Sequence, residues 1–497
     1  MLNRRRSIQT AALGALGLKW GGSRLLRAAD AVAPRTNLLL VFPDQLRFDW
    51  TALTAGTGVR TPNLVRLAEE GMRFDRAFCP TPLCAPSRAC LATGRVYGRT
   101  GVVTNGDNLP DGAATFYARL REAGYTVANS GKLDLRKPAS DWGADGLHRV
   151  DGHSYYDDWG FTTGFDSEGK GARMRDRPGP YITMLEKRAD GSLETYTQWR
   201  KAQKKSPLKP TAYAYTTPVG LVDAVYNDNW VGQNALDLLG SFASTRPWFL
   251  QVNFPGPHAP MDITPPMAAW YRTASCPPPV ANTQLEPPVH QAIRRNYSAM
   301  VENIDRWLGR YLDLLERRGE LERTLVVFSS DHGEMLGDHD RWGKRSPLQP
   351  SVSVPLLVRG PDARRGVVHR GPAATLDLAA TFLDYAGAAV PADYDSRSLR
   401  PLLRGASPGR THVTSGYGDW RLATDGRFKL IRGFDPAAVK TNFNDRDDDA
   451  SIGEKAVVDP SAPLVLFDLD RDPHELTDVA AEHPDVVHRL AKLLPTT

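Results

Sequence analysis

Asn37-Leu-Leu-Leu-Val-Phe-Pro-Asp44 decides the fold. Leu38 to Phe42 carry no polar alternation, so both faces of the run must be covered, as in the buried strands of a parallel sheet. The run stops at Pro43 and delivers an acid. Ligands of such sheets sit beyond the carboxyl ends of the strands, so Asp44 stands where chemistry is expected.

Working outward, the same grammar recurs. Thr61-Pro62-Asn63 reads as a helix start, followed by apolar Leu64, Leu67 and Met72. Thr115 to Ala123 reads as a helix, Tyr125 to Asn129 as a strand, and Pro247 to Phe254 as another buried strand. A long helical pattern covers Tyr297 to Arg317, and Leu325 to Ser330 is a strand entering Asp331. This alternation predicts an α/β domain over 35–385, a large mixed, mostly parallel sheet sandwiched by helices. Gly131-Lys132 and Pro257-His258 fall just past two of its strands. The stretch 151–218, rich in Gly, Pro, Tyr, Trp and Lys, has no sustained period and reads as an elaborated loop region over the site. Its Tyr155, Tyr156, Trp159, Tyr196, Trp199, Lys201, Lys204 and Lys205 would suit stacking on the faces of a ring-shaped ligand, or form a solvated lid. Residues 386–497 change pattern again. Short strands at Arg421 to Thr424, Phe428 to Arg432 and Leu464 to Leu469, with a helix from Pro484 to Leu494, predict a smaller α+β subdomain with an antiparallel sheet.

Composition narrows the class. The chain has 497 residues, 41% hydrophobic and 24% charged, ordinary for a globular protein. Its 62 basic against 57 acidic side chains give +5, too slight an excess for a nucleic-acid binder. No apolar run reaches the ~20 residues of a membrane span. Arg4-Arg5-Arg6, the apolar stretch Ala11 to Leu18 and the small-residue site Ala29-Asp30-Ala31 predict an export signal over 1–31, resembling the twin-arginine type, and a bacterial periplasmic location. Four cysteines, Cys79, Cys84, Cys90 and Cys276, are too few for a disulfide scaffold and lack zinc-site spacing.

Three groups of residues carry chemistry. The first is Cys84-Ala-Pro-Ser87-Arg88-Ala-Cys-Leu-Ala-Thr93-Gly94-Arg95. The second is the set of strand-end acids Asp44 and Ser330-Asp331-His332-Gly333, whose hard oxygen donors suit Ca²⁺ or Mg²⁺ rather than Zn²⁺. The third is a set of cations for an anion: Gly131-Lys132, Pro257-His258-Ala-Pro260 and Gly343-Lys344-Arg-Ser-Pro.

Together these segments resemble the type I sulfatases of the alkaline phosphatase superfamily, with a likeness running from about Asn37 to Leu494. It includes Thr61-Pro-Asn-Leu, Val354-Pro-Leu-Leu-Val-Arg-Gly-Pro and the closing Leu466-Phe-Asp-Leu-Asp-Arg-Asp-Pro-His-Glu-Leu-Thr-Asp. Asp331-His332 and the short C-terminal module are similar to the iduronate-2-sulfatase-like group. The resemblance implies an alkaline-phosphatase-like fold and hydrolysis of a sulfate ester, on a sulfated small molecule or glycan. It implies that a formylglycine-generating or sulfatase-maturating enzyme converts Cys84 to formylglycine, the nucleophile. It implies Ca²⁺, with Mg²⁺ the alternative, held by Asp44, Gln45, the residue made from Cys84, Asp331 and His332. Lys132 and Lys344 would meet the sulfate, His258 would hydrogen-bond its oxygens or protonate the leaving alcohol, and Arg88 would orient the formylglycine. Two positions depart from the pattern. Gln45 follows Asp44 where many members carry a second acid, and could offer an amide oxygen or only a supporting hydrogen bond. Asp134 stands two residues after Lys132, where the family has the histidine that releases sulfate, and could replace that base or only pin Arg136 or cap the following turn. The competing readings are a phosphonate monoester hydrolase or phosphodiesterase of the same superfamily, and a decayed carbohydrate-binding relative.

Overall fold

A computed structural model describes residues 35–170, 178–283, 285–435 and 459–495. The expected export signal lies outside the described residues.

Eight strands form the main sheet: Asn37–Val41 (β1), Met72–Phe74 (β2), Thr126–Gly131 (β3), Thr163–Asp166 (β4), Trp248–Asn253 (β5), Thr324–Ser329 (β6), Leu356–Arg359 (β7) and Val367–His369 (β8). Their spatial order is β8-β2-β7-β6-β1-β5-β3-β4. All neighbours pair parallel except β7, which runs against β6 and β2. Every residue of β1 is buried, as the unbroken apolar run requires. Because side chains alternate along a strand, Leu38 and Leu40 join one core with Phe116, Leu120, Phe382 and Leu383. Leu39 and Val41 join the opposite core with Val231, Ile304 and Leu308. Helices therefore cover both faces: Cys84–Thr93, Phe116–Glu122 and Asp377–Ala386 on one side, Asn227–Ser241 and Pro287–Arg317 on the other. The last begins ten residues earlier than its apolar pattern suggests, on the proline pair Pro287-Pro288 at its first positions.

This order positions the site. Strands β6, β1, β5 and β3 are consecutive and parallel, so their carboxyl ends lie side by side at about 4.8 Å spacing. Asp331, Asp44, His258 and Lys132 emerge from that row.

The stretch 151–218 differs from the expected loop. Thr163–Asp166 is the sheet's edge strand β4, and Pro180–Glu186 and Ser192–Lys205 are helices. Tyr196 and Trp199, three apart on the second helix, point into the core, while Lys201, Lys204 and Lys205 are exposed. Tyr156 and Trp159 are buried as well. These four rings are therefore core residues and not a sugar platform. The sparse apolar positions sat at helical spacing inside a basic, Gly- and Pro-rich background, which hid the period.

Four antiparallel strands in chain order, Val413–Tyr417 (β9), Trp420–Thr424 (β10), Phe428–Arg432 (β11) and Leu464–Asp468 (β12), form the expected C-terminal sheet. Leu422, Ile431, Val465 and Phe467 pack into the core of the main sheet's first face. Ala423, Leu430 and Leu466, on the other face, pack under the helix Pro484–Ala491 through Val486 and Leu490. Among the described residues no helix is long and apolar enough to cross a membrane.

Candidate active site

Cys84 is the first residue of the helix Cys84–Thr93, every residue of which is buried. Residues four apart share a helix face, so Cys84, Ser87 and Arg88 look the same way. Ser87 Oγ donates to the Asp331 carbonyl (2.6 Å). The Arg88 guanidinium bonds Asp331 Oδ2 (2.9 Å), the Lys132 carbonyl (2.7 Å) and Asn253 Oδ1 (2.9 Å). It thereby ties three strand ends to the helix. Asn105 Oδ1 accepts from the Ala85 N–H (3.0 Å), satisfying one of the donors a helix start leaves open. The far end of the motif serves folding. Gly94 caps the helix at φ 65°, and a Cβ there would overlap the Tyr394 ring at 2.2 Å. Arg95 pairs with Asp393.

Around the Cys84 sulfur the four strand ends converge. Its Sγ lies 3.2 Å from His332 Nε2 and 3.8 Å from Asp44 Oδ1. Burial pushes the Cys84 thiol up, but Lys132, Lys344, Lys137 and His332 outweigh it and hold the thiol well below its ordinary range. A position at the start of a helix favours the anion as well. Asp44 accepts from Lys132 Nζ and lies 3.6 Å from Arg88. Burial would raise the Asp44 carboxyl, yet the cations led by Lys132 keep it at about 2. Gly131 lets Lys132 reach this place: it adopts φ 100°, and a Cβ would meet the Asn253 carbonyl at 2.2 Å.

Asp44, Cys84, Asp331 and His332 are all buried, and their ligating atoms lie within 4.8 Å of one another. His332 Nδ1 faces the Gly333 carbonyl at 2.9 Å, which places the proton there and leaves Nε2 as the ligating nitrogen. Two carboxylates and an imidazole that a cation would hold in its neutral form, with Cys84 sulfur standing where an oxygen would follow its oxidation, fit a hard divalent cation. Gln45 sits beside this set at φ 67°. Its amide nitrogen donates to Tyr213 Oη (3.1 Å) and to the Glu334 carboxylate, so its oxygen must point the other way, and there it accepts from Lys344 Nζ (2.7 Å). That oxygen keeps a second lone pair. Lys344 Nζ also lies 2.7 Å from His258 Nε2, and His258 Nδ1 faces the Ala259 carbonyl. An ammonium only donates, so Nε2 is the acceptor in this tautomer.

Every site residue named from the sequence therefore lies in one buried cluster. Asp134 is present too, with its carboxylate between Lys132 Nζ (3.1 Å) and Lys137 Nζ (3.2 Å). Glu334, Tyr213 and Asn253 were missed. Glu334 lies two residues past His332, just beyond the quoted Ser330-Asp331-His332-Gly333, but only the tertiary contact with Gln45 gives it a role. A second buried network stands behind Lys132: Asp166 accepts from the Leu133 N–H (2.7 Å) and bonds His148 Nε2 (2.8 Å).

Cys90 shares the Cys84 helix but faces the apolar core, and burial raises its thiol instead. Cys90→Ser should lose about 1–3 kcal/mol of stability for the buried hydroxyl and keep near-normal kcat, measured by denaturant midpoint and turnover.

Fold and site together place a buried cysteine at a helix start, beside a possible cation site, at the carboxyl ends of a mostly parallel sheet. The model of the Sulfatase family matches residues 36–388, and the chain belongs to that family, the sulfuric ester hydrolases. It is 25% identical to an arylsulfatase of Clostridium perfringens, covering 93% of this chain and 94% of that one. It is 26% identical to an N-acetylglucosamine-6-O-sulfatase of Bacteroides thetaiotaomicron over 93% and 86%. Its fold is similar to that of a phosphonate monoester hydrolase of Agrobacterium radiobacter, with a TM-score of 0.69, 22% identity, and 92% and 94% coverage.

Proposed function

We propose that the chain hydrolyses sulfate monoesters of carbohydrates, with a formylglycine made from Cys84 as nucleophile and Ca²⁺ as its metal. The observation that carries the reading is the Cys84 sulfur at a helix start, 3.2 Å from His332, with Lys132, Lys344 and Lys137 close enough to draw its thiol down. Relatives named as sulfatases, one acting on N-acetylglucosamine 6-O-sulfate, support the substrate class.

In this reading Asp44, Asp331, His332 and the Gln45 amide oxygen hold the cation. When bound, it would polarise the sulfate oxygens and the nucleophile and so stabilise charge in the transition state. Lys132 and Lys344, both buried, neutralise the ester's remaining charge. His258 has its Nδ1 proton committed to Ala259 and accepts from Lys344 at Nε2, and so aims the Lys344 ammonium at the ester. Arg88 holds Asp331 in place through its guanidinium. Water completes the reaction, giving alcohol and inorganic sulfate. Cys84 is 0% exposed, so the maturating enzyme must act before the helix packs. Export through the signal at 1–31 to the periplasm belongs to the same proposal, as does the iduronate-2-sulfatase-like grouping.

The test is a panel of sulfated mono- and oligosaccharides beside an aryl sulfate and an aryl phosphonate, with intact mass reporting conversion of Cys84. Activity on the sulfates is expected. Turnover of the phosphonate alone would replace this reading with that of a phosphonate hydrolase.

Asp134 is assigned the proton taken during sulfate release. Its Oδ2 lies at ion-pair distance from two lysines, and neither of its buried oxygens is held by a hydrogen bond among the described residues. Asp134→Asn should give a burst of alcohol and then turnover slowed roughly 10²-fold or more, because release of alcohol precedes release of sulfate. A pre-steady-state trace on a chromogenic aryl sulfate checks this. A trace without a burst and with near-normal turnover rejects the assignment.

A further inference from the structure

Asp134 follows Lys132 by two residues, and its left-handed φ of 57° turns the chain back toward the site. Its carboxylate is 1% exposed. The ion network therefore runs from Asp44 through Lys132 and Asp134 to Lys137, whose side chain is 25% exposed and forms the end that meets solvent. Arg136, the adjacent cation, is committed elsewhere: it lies 3.7 Å over the Tyr155 ring and bonds Asp141 Oδ2 at 2.9 Å. Lys137 remains: its Nζ lies 3.2 Å from the same Asp134 Oδ2 that stands 3.1 Å from Lys132 Nζ, so one carboxylate separates it from the pocket lysine.

A carboxylate beside an anion-binding pocket repels the anion. A surface lysine near it would ordinarily spend its time in bulk water, since holding a long flexible stem costs entropy that an exposed pair barely repays. A buried carboxylate is a stronger anchor, because losing its partner leaves charge uncompensated in low dielectric. We propose that Asp134 and Lys137 act as a unit in which the buried carboxylate holds the Lys137 ammonium at the pocket, making Lys137 a third sulfate-binding cation beside Lys132 and Lys344. The inference rests on the reading of the Cys84 site as a sulfate pocket. It differs from the base assignment: holding the lysine is a charge interaction, whereas the base takes a proton. Because the lysine stays at the pocket only while its anchor is present, its contribution must depend on Asp134, unlike a fixed charge acting through space.

Binding of inorganic sulfate to the Ca²⁺-loaded full chain, measured by titration calorimetry, tests this without requiring turnover. Lys137→Met is expected to weaken sulfate binding about tenfold, and Lys137→Arg to restore most of it. In an Asp134→Asn background, Lys137→Met should change the affinity by less than about twofold. An equal loss in both backgrounds overturns the proposal, since Lys137 would then act without Asp134. So does a lowered melting temperature with unchanged sulfate affinity, which would mark a brace for the loop. Failure of the unsubstituted protein to bind sulfate would remove the pocket reading and this inference together, whereas loss of the coupling alone leaves the pocket reading standing.

Discussion

Cys84→Ala should lose roughly 10⁴-fold or more of kcat on any sulfate monoester while remaining folded. Alanine keeps the helix start and fits the space, since it only removes a sulfur whose neighbours are His332 and Asp44 rather than apolar packing. Lys132, Lys344, His258 and Arg88 remain in place, so substrate can still bind but nothing attacks it. Cys84→Ser is the sharper variant. A serine hydroxyl can attack sulfur once, yet it has no second hydroxyl to expel the sulfate, and the ester stays on the protein. Intact mass after incubation with substrate should show one added sulfonate group, alongside absent steady-state turnover. Normal turnover by either variant would remove Cys84 from the role of nucleophile.

Asp331→Asn should reduce activity by roughly 10³-fold at ordinary calcium concentrations, and exhaustive chelation of the unsubstituted protein should match it, with Ca²⁺ restoring only the latter fully. Asp331 is where the most independent contacts meet. Oδ1 accepts from the Gln45 N–H (3.0 Å) and the His332 N–H (2.9 Å), and Oδ2 from Arg88 (2.9 Å). The amide keeps the shape but removes a full negative charge from a set that already carries Gln45 in place of an acid. It also leaves the buried Arg88 guanidinium without its main partner, so part of the loss is positional. Metal content by elemental analysis, beside turnover, separates the two effects. Stoichiometric calcium in an inactive variant would assign the loss to Arg88, and full activity in metal-free protein would refute the metal requirement.

Much of this was legible along the chain because the signals are local. An apolar run without alternation needs cover on both faces, and β1, β5 and β6 obeyed that rule, while β3 is buried despite its polar residues. Acids and cations at strand ends are readable for the same reason. The stretch 151–218 was not legible: its apolar residues are few, and the helix that buries Tyr196 and Trp199 is set by the core it meets rather than by its own composition. The Thr93-Gly94-Arg95 half of the motif read as chemistry, but it acts in folding, capping a helix against Tyr394 some 300 positions away, on the order of the separations that only tertiary packing decides.

The sequence by itself determined the family, the donor types and their attachment to strand ends, since each follows from residue identity and short-range period. Tertiary structure alone decided who touches whom. The order β6-β1-β5-β3 places residues 44, 132, 258 and 331 in one row although the chain visits them in another sequence. That order turns Gln45 toward Lys344 across 299 positions and seats its amide nitrogen on Glu334. It also leaves Asp134 between two lysines rather than beside one. Hydrogen-bond direction and charge compensation act over a few ångströms, and the distances that matter are set by which strands lie side by side, a property no local stretch of residues contains.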